Sequence, residues 1–159
     1  MKKWPWFIFS VVVIILDQVS KYWAFRTLIP YQPEALLPMV NFTLAYNTGA
    51  AFSFLSGTGD WHRWLFTGFS GVMSMVLIVW ITRLSQTARL QLIGLSLILA
   101  GALGNLIDRI LLGHVIDFID VYYAHYHWPA FNLADSAICG GAILLLLDMC
   151  LESKQELGA

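Results

Sequence analysis

The residues with the most chemistry to offer are two aspartates set among apolar neighbours. Asp117 lies in Gly113-His114-Val115-Ile116-Asp117-Phe118, and Asp135 in Phe131-Asn132-Leu133-Ala134-Asp135-Ser136. Neither has a Lys or Arg close by in sequence. Two carboxylates brought to one site without a local cation cannot both ionise, so they share a proton. One form can then act as base on a water and the other as acid on a carbonyl oxygen or leaving amine. That is amide hydrolysis by an aspartic dyad. Spacing alone leaves the pairing open, because two loop aspartates are more often unrelated than paired. Other chemistry is poorly represented. Cys139 and Cys150 fall eleven residues apart on one predicted helix, about 16 Å along its axis, too far to bridge. His114 stands alone, and His125 and His127 are two apart in an aromatic loop. No Cys/His spacing suits a metal, and no metal or other cofactor is expected.

The elements that must position these aspartates are dictated by composition. The chain has 159 residues, 58% hydrophobic and 12% charged. Soluble domains sit nearer about 45–50% and about 25%. Disorder is excluded, and so little polar surface cannot cover so much apolar material in water. The net charge of −1 leaves no basic excess to hold nucleic acid. The apolar residues fall in four runs, roughly 4–28, 64–81, 90–112 and 131–151. Each is long enough as helix to cross a hydrocarbon layer of about 30 Å. The expectation is an all-α integral membrane protein: one polytopic domain over 1–159, with four transmembrane helices and a small β element on the extracytoplasmic side. The first run follows Lys2 and Lys3 like a secretory signal, but Asp17-Gln18-Val19-Ser20-Lys21 offers no small-x-small cleavage site, so it reads as a retained span.

Orientation follows from basic flanks. With the N-terminus inside, Lys2, Lys3, Arg83, Arg89 and Lys154 are inner and only Arg26 and Arg63 are outer. Both termini are then cytoplasmic. Trp61, Trp64, Tyr122, Tyr123, Tyr126 and Trp128 form an outer aromatic belt. In the outer loop from about Ile29 to Arg63, Val40, Phe42, Leu44 and Tyr46 alternate with Asn41, Thr43, Ala45 and Asn47, the period of a strand, and Asn47-Thr48-Gly49 makes a turn. The third connection, Gly113 to Ala130, reads as an outer loop without Lys or Arg.

Charges at membrane depth cost about 2.5–3.5 kcal/mol each on insertion scales and so call for partners. Asp17 and Lys21 are four apart on one helix face and can pair, either to neutralise themselves or to serve the site. Asp108 and Arg109 end the third run, where Arg109 is expected to snorkel outward. Asp148, at an inner helix end, is expected to be solvated. Ala100 and Gly104, Ala137 and Gly141, and Gly68 and Gly71 are expected to serve helix packing.

Five blocks taken together resemble the bacterial lipoprotein signal peptidase (signal peptidase II) family: Asp17-Gln18-Val19-Ser20-Lys21, Asn47-Thr48-Gly49-Ala50-Ala51-Phe52-Ser53, Gly101-Ala102-Leu103-Gly104-Asn105-Leu106-Ile107-Asp108-Arg109, Gly113 to Phe118, and Phe131 to Asp135. They follow in order from the first span to the fourth. The resemblance implies a membrane aspartic endopeptidase of the bacterial inner membrane. Such an enzyme cuts the signal peptide from prolipoproteins immediately before a cysteine carrying a diacylglyceryl group. It implies Asp117 and Asp135 as the catalytic pair, with Asn47, Gly49, Asn105, Arg109 and Asn132 at the substrate and Asp17 and Lys21 in support. It further implies sensitivity to the peptide antibiotics that block the family. Lipid and a lipidated precursor are the expected partners, and a monomer is expected, since one chain carries both carboxylates.

Asp135 falls near the start of a helix, where the macrodipole favours an anion, so it is expected to be the ionised member and Asp117 the protonated one. Two other classes compete. A proton relay would want carboxylates near mid-bilayer, whereas these lie at one end. A packing subunit would leave Asn47-Thr48-Gly49 and both aspartates unexplained.

Overall fold

The computed structural model describes residues 3–49 and 61–157. Lys2 and Ala50 to Ser53, which carry part of the basic flank and of the second sequence block, lie outside the described residues, as does the side chain of Lys154. Among the described residues, four helices are long and apolar enough to span a membrane. They are α1 (Trp4–Thr27), α2 (Trp61–Arg83), α3 (Arg89–Leu111) and α4 (Leu133–Leu157). At 1.5 Å per residue each is about 35 Å long. Pro5 sits in the first turn of α1, where the missing N–H costs nothing.

α3 is the central helix: 50% of its spanning stretch is buried, against 22%, 17% and 17% for α1, α2 and α4. α1, α2 and α4 pack around it, and α1 also meets α4. The outward faces carry exposed large apolar side chains, among them Val12, Ile15 and Val19 on α1, Phe69, Val72 and Val76 on α2, and Ile143 and Leu147 on α4. In water these would be a liability; against lipid they are the solvent-matched surface. At the end bearing the α2–α3 turn, Leu77, Ile81, Leu92, Leu95 and Leu99 form an apolar cluster. There the Lys3 ammonium donates to the Leu84 carbonyl, and Trp6 Nε1 donates to Gln86 at 3.3 Å. Asp148 is not simply solvated: Gln91 Nε2 on α3 donates to it at 2.7 Å.

Close helix approach rests on glycines of α3 and α4. A side chain at Gly94 would meet the Gly141 carbonyl, and one at Gly101 would run into the Ala134 carbonyl and Ile138. Gly68 and Gly71 have no such role, because a Cβ at either finds nothing within 4 Å. α2 leans on α3 through larger residues, so its glycines face open space.

At the other end lies a four-stranded antiparallel sheet in the order β1-β2-β3-β4. Its strands are β1 (Glu34–Leu37), β2 (Val40–Asn47), β3 (Val115–Tyr123) and β4 (Tyr126–His127). β2 is the strand legible in the alternation. β3 and β4 occupy the connection that reads as loop, so the β element is larger than sequence suggests. Alternation is hidden in β3 because Val115, Ile116, Asp117 and Phe118 are all buried. The sheet sits over the helix ends through a cluster of Ala24 and Leu28 of α1 with Leu44, Ile116 and Phe118. The β2–β3 register shifts between Phe42 and Ala45, a bulge that lets both Asn41 and Leu44 be buried.

Packing at α3 and α4 yields a paired test. Gly101→Val should lower the thermal midpoint of the detergent-solubilised protein by several degrees, since overpacking costs about 1–3 kcal/mol. Gly68→Ala should leave it unchanged or raise it, because Ala favours helix over Gly by about 1 kcal/mol.

Candidate active site

The route from α3 to α4 brings the two aspartates together. α3 is capped by Leu112, whose N–H bonds the Asp108 carbonyl, and Gly113 follows with φ 84° and its N–H on the Arg109 carbonyl. That left-handed residue suits glycine and turns the chain back over the helix end. A Cβ there would also sit 3.2 Å from the Arg63 guanidinium, which donates to the Arg109 and Ile110 carbonyls. β3 then carries Asp117 across the bundle. The β3–β4 hairpin returns the chain so that Phe131 bridges Ile119, which sets Asn132 at the start of α4 beside Asp117.

Asn132 and Asp135 form a reciprocal cap. Asn132 Oδ1 accepts the Asp135 N–H at 2.9 Å, while the Asn132 N–H donates to Asp135 Oδ2 at 3.2 Å. The Asn132 side chain is fully buried, and its Nδ2 reaches Asp117 Oδ1 at 2.7 Å. One residue thus holds both carboxylates. Asn47, at the end of β2, donates to Asp117 Oδ2 at 3.0 Å while its own Oδ1 accepts the Gly49 N–H at 3.0 Å. Asn105 donates to Asp135 Oδ1 at 2.8 Å. Each carboxylate therefore accepts two N–H groups. A cavity of about 430 Å³ opens beside Asp135, lined by Asn47, Trp128, Ala130, Phe131, Ser136, Ile138 and Cys139.

Behind this pair lies a buried ionic cluster. Lys21 Nζ is 2.9 Å from Asp17 Oδ2, 2.9 Å from Asp108 Oδ2 and 2.9 Å from Asn105 Oδ1. The expected Asp17–Lys21 pair is present, but it does not merely neutralise itself. Asp17 Oδ1 accepts the Ala134 N–H at 2.9 Å, and Asp108 Oδ2 accepts the Ile116 N–H at 3.3 Å. Gln18 Nε2 adds a bond to Asp108 Oδ1 at 2.9 Å. A Cβ on Gly104 would come within 2.5 Å of Asp17 Oδ2, so glycine there leaves room for the carboxylate.

Arg109 does not snorkel. It is 9% exposed, donates to the Gly49 carbonyl at 3.1 Å and lies 5.8 Å from the Phe66 ring centroid. The turn after Asn47 and the α2 aromatic supply inside the protein what the interface would have supplied outside.

A sequence profile described as Signal peptidase (SPase) II matches residues 9–151. The chain belongs to the signal peptidase II family. It is a membrane-embedded, multi-pass protein and a protease of that family. Lipoprotein signal peptidase from Coxiella burnetii (strain RSA 493) is 51% identical over 98% of this chain and 95% of its own length. That from Acinetobacter baylyi is 49% identical over 96% and 85%. A solved structure described as a bacterial membrane enzyme superposes with a TM-score of 0.84 at 33% identity, covering 95% of this chain and 90% of that one.

Sequence reading gives no role to Asp108, which it places only at the end of the third run, or to Gln18, both of which here join the cluster behind the two aspartates, and it does not foresee a second cluster on the sheet. In that cluster buried Asp120 accepts from Asn41 Nδ2 at 3.1 Å and pairs with His127 Nδ1 at 2.8 Å. His127 stacks on Tyr122. Only the Asp117-Phe118-Ile119-Asp120 spacing hints at it, and spacing does not reveal the partners. Among the described residues no group of three His, Cys, Asp or Glu could hold a metal.

Burial pushes the Asp117 carboxyl up from an ordinary 3.8 to about 7, the Asp135 charge pushes the same way, and the Asn47 and Asn132 donors oppose them. The folded protein thus binds this proton more tightly than the unfolded chain, so its contribution to stability is lost as pH rises from about 4 to about 7. Asp117→Asn removes that loss. The gain in thermal midpoint of Asp117→Asn over wild type should be larger at pH 8 than at pH 5, measured in one detergent at constant ionic strength.

Proposed function

We propose that Asp117 and Asp135 are the catalytic pair with which this chain cuts prolipoprotein signal peptides. The scissile bond is the one immediately before the diacylglyceryl-modified cysteine. The observation that carries this reading is Asn132. Its side chain holds Asp117 and its backbone N–H holds Asp135, so one residue ties the buried carboxylate to the one that lines the cavity.

The roles follow from surroundings. Asp135 lies in the first turn of α4 and carries the negative charge, stabilised by the helix N-terminus, two N–H donors and the facing Arg109 charge. Asp117 holds the proton. Asp135 takes a proton from a water as the water oxygen attacks the scissile carbonyl carbon. Asp117 gives its proton to the carbonyl oxygen, leaving a neutral tetrahedral diol and the charge on Asp117. The diol returns a proton to Asp117, the C–N bond breaks, and Asp135 delivers its proton to the cysteine nitrogen. The products are a signal peptide ending in a carboxyl group and a lipoprotein with a free amino terminus, and the dyad regains its starting state.

Asn47, Gly49, Asn105, Arg109 and Asn132 form the substrate-facing shell. Asn47 and Arg109 also hold the turn at Gly49, so substrate binding and the shape of the wall are linked. The apolar lining of the cavity beside Asp135 suits a signal-peptide segment entering from lipid. Orientation is supported by the sheet and exposed Tyr123, Tyr126 and Trp128 at the dyad's end. At the opposite end of the helices lie Lys3, Arg83 and Arg89. On this reading the dyad lies at the outer face of the bacterial inner membrane and both termini are cytoplasmic. One chain supplies both carboxylates, so the monomer is the working unit. Peptide antibiotics that inhibit the family should occupy the dyad.

Purified Asp117→Asn and Asp135→Asn should each process a diacylglyceryl-modified precursor at least about 10³-fold more slowly than wild type while keeping a cooperative thermal transition, because an amide cannot exchange the proton. Near-normal processing by either variant would refute the pair. Arg109→Ala should raise KM more than it lowers kcat in the same assay.

A further inference from the structure

We propose that Lys21 is a positioning residue for the dyad: by fixing the side-chain amide of Asn105, it directs an N–H at Asp135 and so makes Asp135 the member that bears the charge. The inference rests on the dyad reading above.

An asparagine amide presents an acceptor on one side and donors on the other, and rotation by half a turn exchanges them. Asn105 Oδ1 accepts from Lys21 Nζ at 2.9 Å and from Asn132 Nδ2 at 3.2 Å. Lys21 can only donate, so it rejects the flipped amide outright. With the oxygen so held, Nδ2 must face Asp135 Oδ1, where it donates at 2.8 Å. That bond favours a carboxylate. The flipped amide would offer Asp135 an oxygen, which favours a carboxylic acid. Lys21 is 2% exposed and held by Asp17 and Asp108 at 2.9 Å each, so it cannot swing away to release the amide. The charged groups facing the dyad come from α1 (Asp17, Lys21) and α3 (Asp108, Arg109). β2 contributes the neutral Asn47, and α4 contributes Asp135 itself. Lys21 is thus the cation linked to Asp135 through one shared amide, whereas Arg109 hydrogen-bonds to the Gly49 carbonyl and acts on Asp135 through its charge.

The test is the pH profile of kcat/KM on a diacylglyceryl-modified precursor from pH 5 to 9. Without the Lys21 anchor the dyad takes a second proton more readily. Lys21→Met should therefore move the acidic limb to higher pH by about one unit, the low end of what a neighbouring charge does. A role confined to folding would lower activity by one factor at every pH. Lys21→Met leaves Asp17 and Asp108 facing one another, so the charge-balanced Lys21→Met/Asp108→Asn protein is measured beside it and should show the same displaced limb. Asn105→Ala keeps the ion pairs whole. It should displace the limb by itself, and adding Lys21→Met to it should displace the limb no further.

Four outcomes overturn the inference: a uniform loss across pH, a folded Lys21→Met/Asp108→Asn protein inactive throughout, an undisplaced limb in Asn105→Ala, or additive shifts in the double variant. Asp135→Asn in the same series separates this from failure of the dyad reading. Activity in Asp135→Asn defeats the reading itself, whereas an inactive Asp135→Asn with any of the four outcomes defeats only the role of Lys21.

Discussion

One buried ammonium ties together the half of this bundle that carries the sheet. Lys21 of α1 is held by Asp17 on its own helix and by Asp108 and Asn105 on α3. Its two carboxylate partners pass the restraint on, Asp17 to the first turn of α4 and Asp108 to the start of β3. Every element that carries a dyad residue is therefore fastened to one point. Buried charges are poor sources of stability, because desolvation offsets their attraction, yet deleting one member of a buried pair costs about 3–5 kcal/mol. What the cluster provides is position. The glycines of α3 make the arrangement possible by letting α1 and α4 approach closely enough for Asp17 to reach both Gly104 and Ala134.

From that point the order of the site follows through three amides. Asn47, Asn105 and Asn132 each have their oxygen occupied by a donor that cannot reverse: the Gly49 N–H, the Lys21 ammonium and the Asp135 N–H. Each is left with its NH₂ turned toward a carboxylate. A pair of acids in an apolar setting would otherwise tend to take two protons. The fixed donors oppose this and leave room for the single proton that acid–base hydrolysis needs. The asymmetry between the two acids has three sources in this account. Asp135 gains the helix N-terminus, Asp117 is buried within the sheet, and the proposed anchoring of Asn105 by Lys21 keeps a donor on Asp135.

Much of this was legible in the residues. The four spans are legible because lipid-facing helices must be apolar along their length, and β2 because its large apolar residues alternate with small or polar ones. Asp117 and Asp135 stand out as carboxylates without local cations. β3 does not show, because both of its faces are buried and its pattern is continuous rather than alternating. The places of Asp108, Gln18, Asp120 and His127 do not show for a different reason. Gln18 meets Asp108 across 90 residues of chain, and Asp120 meets Asn41 across 79. Arg109 was misleading for the same cause: its position at a helix end suggests the interface, and only the fold reveals the Gly49 carbonyl and the Phe66 ring. Which way an asparagine amide faces is set entirely by such distant partners.

The central claim, a single proton held by Asp117 beside a charged Asp135, is open to direct observation. Infrared difference spectroscopy of the protein with isotopically labelled aspartate reads the stretch of a protonated carboxyl group. One such band should be present at pH 6, disappear as pH rises through about 7, and be missing from Asp117→Asn. A wild-type protein with no protonated carboxyl at pH 6, or a band that survives in Asp117→Asn and vanishes in Asp135→Asn, would contradict the account.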